Sequence, residues 1–98
     1  MATLIKIWLD DVRPAPEGYE WAHSVNEAKA LVEVNENIGN PIVCLDLDHD
    51  MGDYEPQGGD GIKFVLWLAE TNRHYPVKVH SLNPVGKENM EAIVRRYW

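Results

Sequence analysis

Two apolar runs that end in aspartates constrain the fold of this chain more than any other feature. Leu4 to Leu9 (LIKIWL) runs directly into Asp10 and Asp11, and Ile42 to Leu47 (IVCLDL) into Asp48, with Asp50 two residues on. Short, near-continuous apolar runs rich in β-branched residues read as buried strands of a parallel sheet. Ligands in open α/β sheets bind outside the carboxyl ends of the strands, so neighbouring strands of this kind gather their aspartates at one place. Carboxylate oxygens are hard donors that suit Mg²⁺ better than zinc or copper.

With 98 residues, 45% of them hydrophobic, the chain has enough material for one compact domain, taken as 1–98, and too little for a second. Its net charge of -7 opposes binding to duplex DNA, where affinity comes from Lys and Arg displacing counterions. The lone cysteine, Cys44, lies inside an apolar run; it cannot form an intramolecular disulfide and reads as a small buried hydrophobe in a reducing compartment. The apolar runs are far shorter than the roughly 18 residues that cross a bilayer. No signal peptide opens the chain, so a soluble, cytoplasmic protein with no membrane partner is expected.

Pro14, Pro16 and Gly18 exclude a helix after the first run. Tyr19 to His23 reads as a short edge strand, and Ser24-Val25-Asn26-Glu27 has the spacing of a capping box that opens a helix. Val25, Ala28, Leu31 and Val32 give that helix an apolar face, and Asn37, Gly39 and Pro41 close it. Beyond the Ile42–Leu47 strand, the polar, Gly-rich stretch 51–61 suits a surface loop beside a site. Asp60 stands where it would cap a second helix, whose face is Ile62, Val65, Leu66 and Ala69, broadened by Phe64, Trp67 and Leu68. Pro76 introduces a third buried strand, Val77 to His80. Asn83 and Pro84 then read as the N-cap and first position of a final helix striped with Met90, Ile93, Val94 and Tyr97. This order predicts an α/β fold with a mainly parallel sheet of about four strands and about three helices. Trp8, Trp21 and Trp67 read as packing, His23 and His74 as surface residues, and Glu17, Glu20, Glu27, Glu33 and Glu36 as solvated surface.

The Asp-Asp pair after the first strand, Leu47-Asp48-His49-Asp50-Met51-Gly52 after the central one and His80-Ser81 after the next resemble the receiver domains of response regulators. The fuller pattern, WLDDVRPAPEG, LDHDMG, GGDGI and VHSLNPVGKENM, is closer to the receiver-like family of cyclic-phosphate-processing receiver domains, and it covers nearly the whole chain. The resemblance implies a minimal, truncated flavodoxin-like three-layer sandwich. It implies that Asp10, Asp11 and Asp48 bind Mg²⁺, with Asp48 in the phosphoacceptor position and Ser81 contacting a phosphoryl group. A Pro-rich loop stands where an ordinary receiver has its first helix, and the pattern lacks that family's last strand and helix. The receiver lysine would go with them, and Lys87 at the start of the final helix could replace it, where helix amides also favour anions.

A hydrolase differs from a phosphoacceptor in needing a proton-transfer group, and His49 and His80 are the candidates because imidazole titrates near neutrality. Arg13 and Lys87 would hold phosphate, and Asn83 a ribose or phosphate oxygen. Asp46 and Asp50 are expected in supporting positions behind the ligands. Asp46, Asp48 and Asp50 alternate as in an EF-hand, but Met51 and Gln57 occupy the positions needing glycine and glutamate, which excludes that calcium loop. Haloacid-dehalogenase phosphatases place their metal-binding acidic pair late in the chain, whereas here it comes first. The expected function is a Mg²⁺-dependent phosphohydrolase or phosphodiesterase acting on a small cyclic or terminal phosphate, including an RNA terminus. The alternative is a non-enzymatic phosphoacceptor or phosphate-sensing receiver modified at Asp48. An uncovered sheet edge would invite a second copy, so a homodimer is also an expectation.

Overall fold

The computed structural model describes residues 3–98; the first two residues of the expected domain lie outside it. The first run forms β1 (Ile5–Leu9) and the second β3 (Ile42–Leu47). Between them lie β2 (Glu20–Ala22) and α1 (Val25–Ile38); after them come a 3₁₀ turn at Gly52–Tyr54, α2 (Gly61–Glu70), β4 (Val77–Val79) and α3 (Pro84–Tyr97). The sheet is parallel throughout, in the order β2-β1-β3-β4. This is the expected small receiver-like α/β architecture of four strands and three helices.

Register decides what meets at the strand ends. Leu9 pairs with Leu47, and Leu47 with Val79, so Asp10, Asp48 and His80 leave the sheet side by side. Both crossovers, β2 to β3 through α1 and β3 to β4 through α2, run in the same direction across the sheet. Right-handed connections therefore place α1 and α2 on one face. The core lies there: Ile5, Ile7 and Leu9 meet Val25, Ala28 and Val32 of α1, Phe64, Val65 and Leu68 of α2 and Met90 of α3. The opposite face carries Lys6, Trp8, Cys44 and Asp46, paired in register. Its third layer is the Pro-rich segment rather than a helix. The Trp8 indole donates to the Arg13 carbonyl at 2.9 Å, the Tyr19 phenol lies 3.9 Å from Cys44 Sγ, and Lys6 sits over the Tyr19 ring.

Ser24 caps α1 as expected, its Oγ accepting from the Glu27 amide at 3.1 Å, but the Glu27 carboxylate turns to His23 Nδ1 instead of closing the box. Gly39 ends the helix in the left-handed region at φ 80, with its N–H on the Asn35 and Glu36 carbonyls. Asp60 stands at the N-cap of α2 without capping it; its carboxylate accepts from the Met51 amide at 2.9 Å. The buried stripe of α2 is Gly61, Phe64, Val65 and Leu68, shifted from the predicted one. A helix apolar on nearly every side has no unique face, and contact with the sheet chooses it. Met51, read as part of a surface loop, is fully buried in the core, and Tyr97, read as part of the α3 stripe, is exposed. Among the described residues no helix is long and apolar enough to cross a membrane.

Glu36 is a further correction. It is not solvated surface but the hub of a clasp between the end of α1 and the segment leading into β4. Its carboxylate takes Arg73 Nε at 3.0 Å and Arg73 Nη2 at 3.0 Å, and accepts the Tyr75 hydroxyl. Arg73 in turn lies over the Trp67 ring at 4.5 Å. The Arg73 hydrogen bonds hold the Glu36 carboxyl below its ordinary range against burial, which raises it. Burial first, and the Glu36 contact second, push the Tyr75 phenol up to about 12. The signs follow. The carboxylate contribution is present above the ordinary Glu value of 4.5 and is lost as pH falls through the lowered one. The phenol contribution is present below 10.0 and is lost as pH rises towards 12. Glu36→Gln is expected to cost about 1–2 kcal/mol at neutral pH and to bring the Tyr75 titration down. Urea unfolding and a tyrosinate absorbance titration, with Tyr75→Phe for assignment, check both; an unmoved phenol would break the clasp as described.

Candidate functional site

Asp10 leaves β1 fully buried, and its two oxygens are spoken for. Oδ1 accepts from the Val12 and Arg13 amides at 3.0 and 2.8 Å, while Oδ2 meets His80 Nε2 at 2.9 Å and Arg13 Nε at 3.1 Å. Burial alone would raise its pKa. The two amides, the His80 contact and the Arg13 charge outweigh that, and the net shift is downward. Asp10 therefore organises the turn after β1 from inside.

The open part of the site is a cleft of about 350 Å³ whose lining includes the polar residues Asp11, Arg13, Asp48, Asp50, Ser81 and Asn83. Asp48 directly follows β3; its Oδ1 accepts from the His49 amide at 2.8 Å and its Oδ2 lies 3.8 Å from Arg13 Nη2. Burial and the charges of Asp10 and Asp48 push the Asp11 carboxyl up, a repulsion that its own amide offsets only in part. Asp50 is held down by the 2.7 Å contact from His49 Nδ1 and by Asn83 Nδ2 at 3.2 Å. Asn83 also performs the expected N-cap, its Oδ1 accepting from Gly86 N at 3.0 Å, and Ser81 Oγ accepts from the Asn83 amide at 3.0 Å. Arg13 spans the acids and donates to the His80 carbonyl at 3.3 Å.

Neither His49 nor His80 is among the residues lining the cleft, although His49 contacts Asp50, which is. His80 bridges two carboxylates, Nδ1 to Asp46 at 2.8 Å and Nε2 to Asp10 at 2.9 Å, with its ring stacked on Trp8 at 3.7 Å. The His49 ring packs against Gly86, close enough that a side chain at that position would strike it. Lys87 lies at the start of α3, its amide on the Asn83 carbonyl, and is not among the cleft residues. Ligand atoms of Asp10, Asp48 and His80 lie within 4.8 Å of one another, as do those of His49, Asp50 and Asp60. Trp8, read as simple packing, also supports the site: it stacks on His80 and fixes the Arg13 backbone. Nothing local in the sequence marks it. Gly52, whose missing side chain leaves room for the Asp11 carboxylate, could have been found from its place in LDHDMG.

The family model for the cyclic-phosphate processing receiver domain matches residues 5–96. No curated protein and no solved structure gives a significant match.

Proposed function

Because the chain belongs to the cyclic-phosphate processing receiver domain family, we propose that it is a Mg²⁺-dependent phosphohydrolase or phosphodiesterase. Its substrate would be a cyclic or terminal phosphate of a nucleotide or an RNA end. The observation that supports this reading most is the convergence of Asp11, Asp48, Arg13, Ser81 and Asn83 on one cleft. Asp11 and Asp48 offer hard oxygens, and a divalent cation would offset both the burial and the charges of Asp10 and Asp48 that push the Asp11 carboxyl up, so the donor set fits Mg²⁺. Asp10, whose Oδ2 is shared by His80 and Arg13, stands beside them as the third carboxylate. When bound, the metal neutralises phosphate oxygens.

The chain's own groups do the rest. Arg13 offers its planar fork to two phosphate oxygens, Ser81 Oγ and Asn83 Nδ2 offer further hydrogen bonds, and Lys87 adds positive charge at the start of α3. Asp50 holds His49 through Nδ1, which leaves Nε2 to carry the proton for the leaving alkoxide. Phosphorus NMR of a ribonucleoside cyclic phosphate with protein and Mg²⁺ tests this. The cyclic signal should disappear with the intact protein and persist with Asp48→Asn or without metal; persistence in every sample would sink the enzyme reading.

One observation favours a second reading. Neither imidazole lines the cleft, which suits a phosphoacceptor that needs no acid for a leaving group. On that reading, acetyl phosphate with Mg²⁺ should add one phosphoryl mass to the intact protein and none to Asp48→Asn.

A further inference from the structure

The acidic cleft contains a cation of its own. The Arg13 guanidinium reaches Asp10 Oδ2 at 3.1 Å and Asp48 Oδ2 at 3.8 Å, and donates to the His80 carbonyl at 3.3 Å. The two carboxylate side chains are 0% and 11% exposed, whereas that of Arg13 is 42% exposed. The Arg13 backbone is fixed separately, its amide on Asp10 Oδ1 at 2.8 Å and its carbonyl on the Trp8 indole at 2.9 Å. The head group can therefore leave the acids without disturbing the turn that carries it.

Resting on the reading that this cleft takes a divalent cation, we infer that Arg13 is a built-in counter-ion that yields its place to the metal and swings to an anionic ligand. One guanidinium stands against Asp10 and Asp48, with Asp11 and Asp50 lining the same cleft, so the site keeps an excess of negative charge that attracts a second cation. Two cations against the same carboxylates repel, and the half-exposed, flexibly tethered one is the one that moves. Once free of Asp10 and Asp48, its fork matches the oxygens of a phosphate. Metal and phosphate are thereby coupled through one side chain. Holding Arg13 on the acids weakens metal binding, and its release strengthens anion binding, by the reciprocity of linkage.

Calorimetric titration tests this on the full chain, with Mg²⁺ alone and then inorganic phosphate at saturating Mg²⁺. Arg13→Gln should bind Mg²⁺ about five-fold more tightly than the native protein, the scale of one partly exposed ion pair, and should bind phosphate more weakly. Arg95→Gln, the same charge change on the exposed end of α3, should follow the native protein. Arg13→Lys keeps the charge and loses the fork, so it should keep near-native Mg²⁺ affinity and lose phosphate affinity; it also serves if Arg13→Gln melts early. Unchanged or weaker Mg²⁺ binding by Arg13→Gln overturns the counter-ion role while leaving the metal site standing, as does equal tightening by Arg95→Gln. Failure of every form to bind Mg²⁺ overturns the metal reading itself, and this inference with it.

Discussion

Gly61→Ala is expected to lower the melting temperature more than any other single added methyl group near the site. Gly61 opens α2, and its amide donates to the His49 carbonyl at 2.6 Å, which brings the helix end directly against the strand end that carries Asp48. A Cβ at this position would overlap the Asp48 carbonyl oxygen and come within 3.1 Å of His49 Cα. Both obstacles are backbone atoms and cannot rotate away. The helix must retreat, and Phe64, Val65 and Leu68 retreat with it from the core. Overpacking against a fixed backbone costs about 3 kcal/mol, and in a domain of this size that lowers the melting temperature by roughly 10–20 °C. Gly86→Ala should cost less, because its Cβ meets the His49 ring at 2.5 Å and a side chain can turn aside. Calorimetric melting of both variants checks the argument. A Gly61→Ala protein melting within a degree or two of the native one would mean that α2 does not depend on this close approach.

The contrast between these two glycines marks what was legible beforehand. GGDGI stands out as a motif, but which glycine faces backbone and which faces a ring is a matter of contact. The strands, the mainly parallel sheet and the three helices could be read because the alternation of strand and helix rests on local periodicity and on turn residues, whereas the strand order β2-β1-β3-β4 could not. The same holds for the N-caps at Ser24 and Asn83, where a side chain meets an amide three residues on. Pairings across the sheet left no such trace. Asp46 and His80 are 34 residues apart and meet only because Leu47 and Val79 are register partners. Glu36 and Arg73, 37 apart, meet only once α1 and α2 have packed. The convergence of the strand-end aspartates was foreseeable from the parallel sheet. The division of labour between Asp10, sealed within its turn, and Asp11, open to the cleft, was not, since adjacent residues look alike until the turn is built.

His80→Phe is expected to destabilise the protein by about 3 kcal/mol at neutral pH, and the way that loss changes with acidity distinguishes two roles for the ring. Phenylalanine preserves the stack on Trp8 but removes both nitrogens from between Asp46 and Asp10. Asp10, fully buried, is left with the Val12 and Arg13 amides and the Arg13 side chain, and Asp46 loses the partner at its Oδ1. Burial raises the Asp10 carboxyl and its partners, His80 among them, more than reverse this, so its pKa in the folded protein lies below the ordinary 3.8. A lowered carboxylate contributes stability that is present above its unfolded value and is lost as pH falls through the folded one. The His80→Phe deficit should therefore be full at neutral pH and shrink as pH falls through the carboxylate range, where the stranded Asp10 takes up a proton before the native one does. Urea unfolding of both proteins across that range measures it. If the variant instead keeps native stability at neutral pH yet loses all turnover of a cyclic phosphate, the ring is a proton carrier rather than the strut that positions Asp10. His49, paired with Asp50 on the cleft side, would then no longer be the better candidate for the acid.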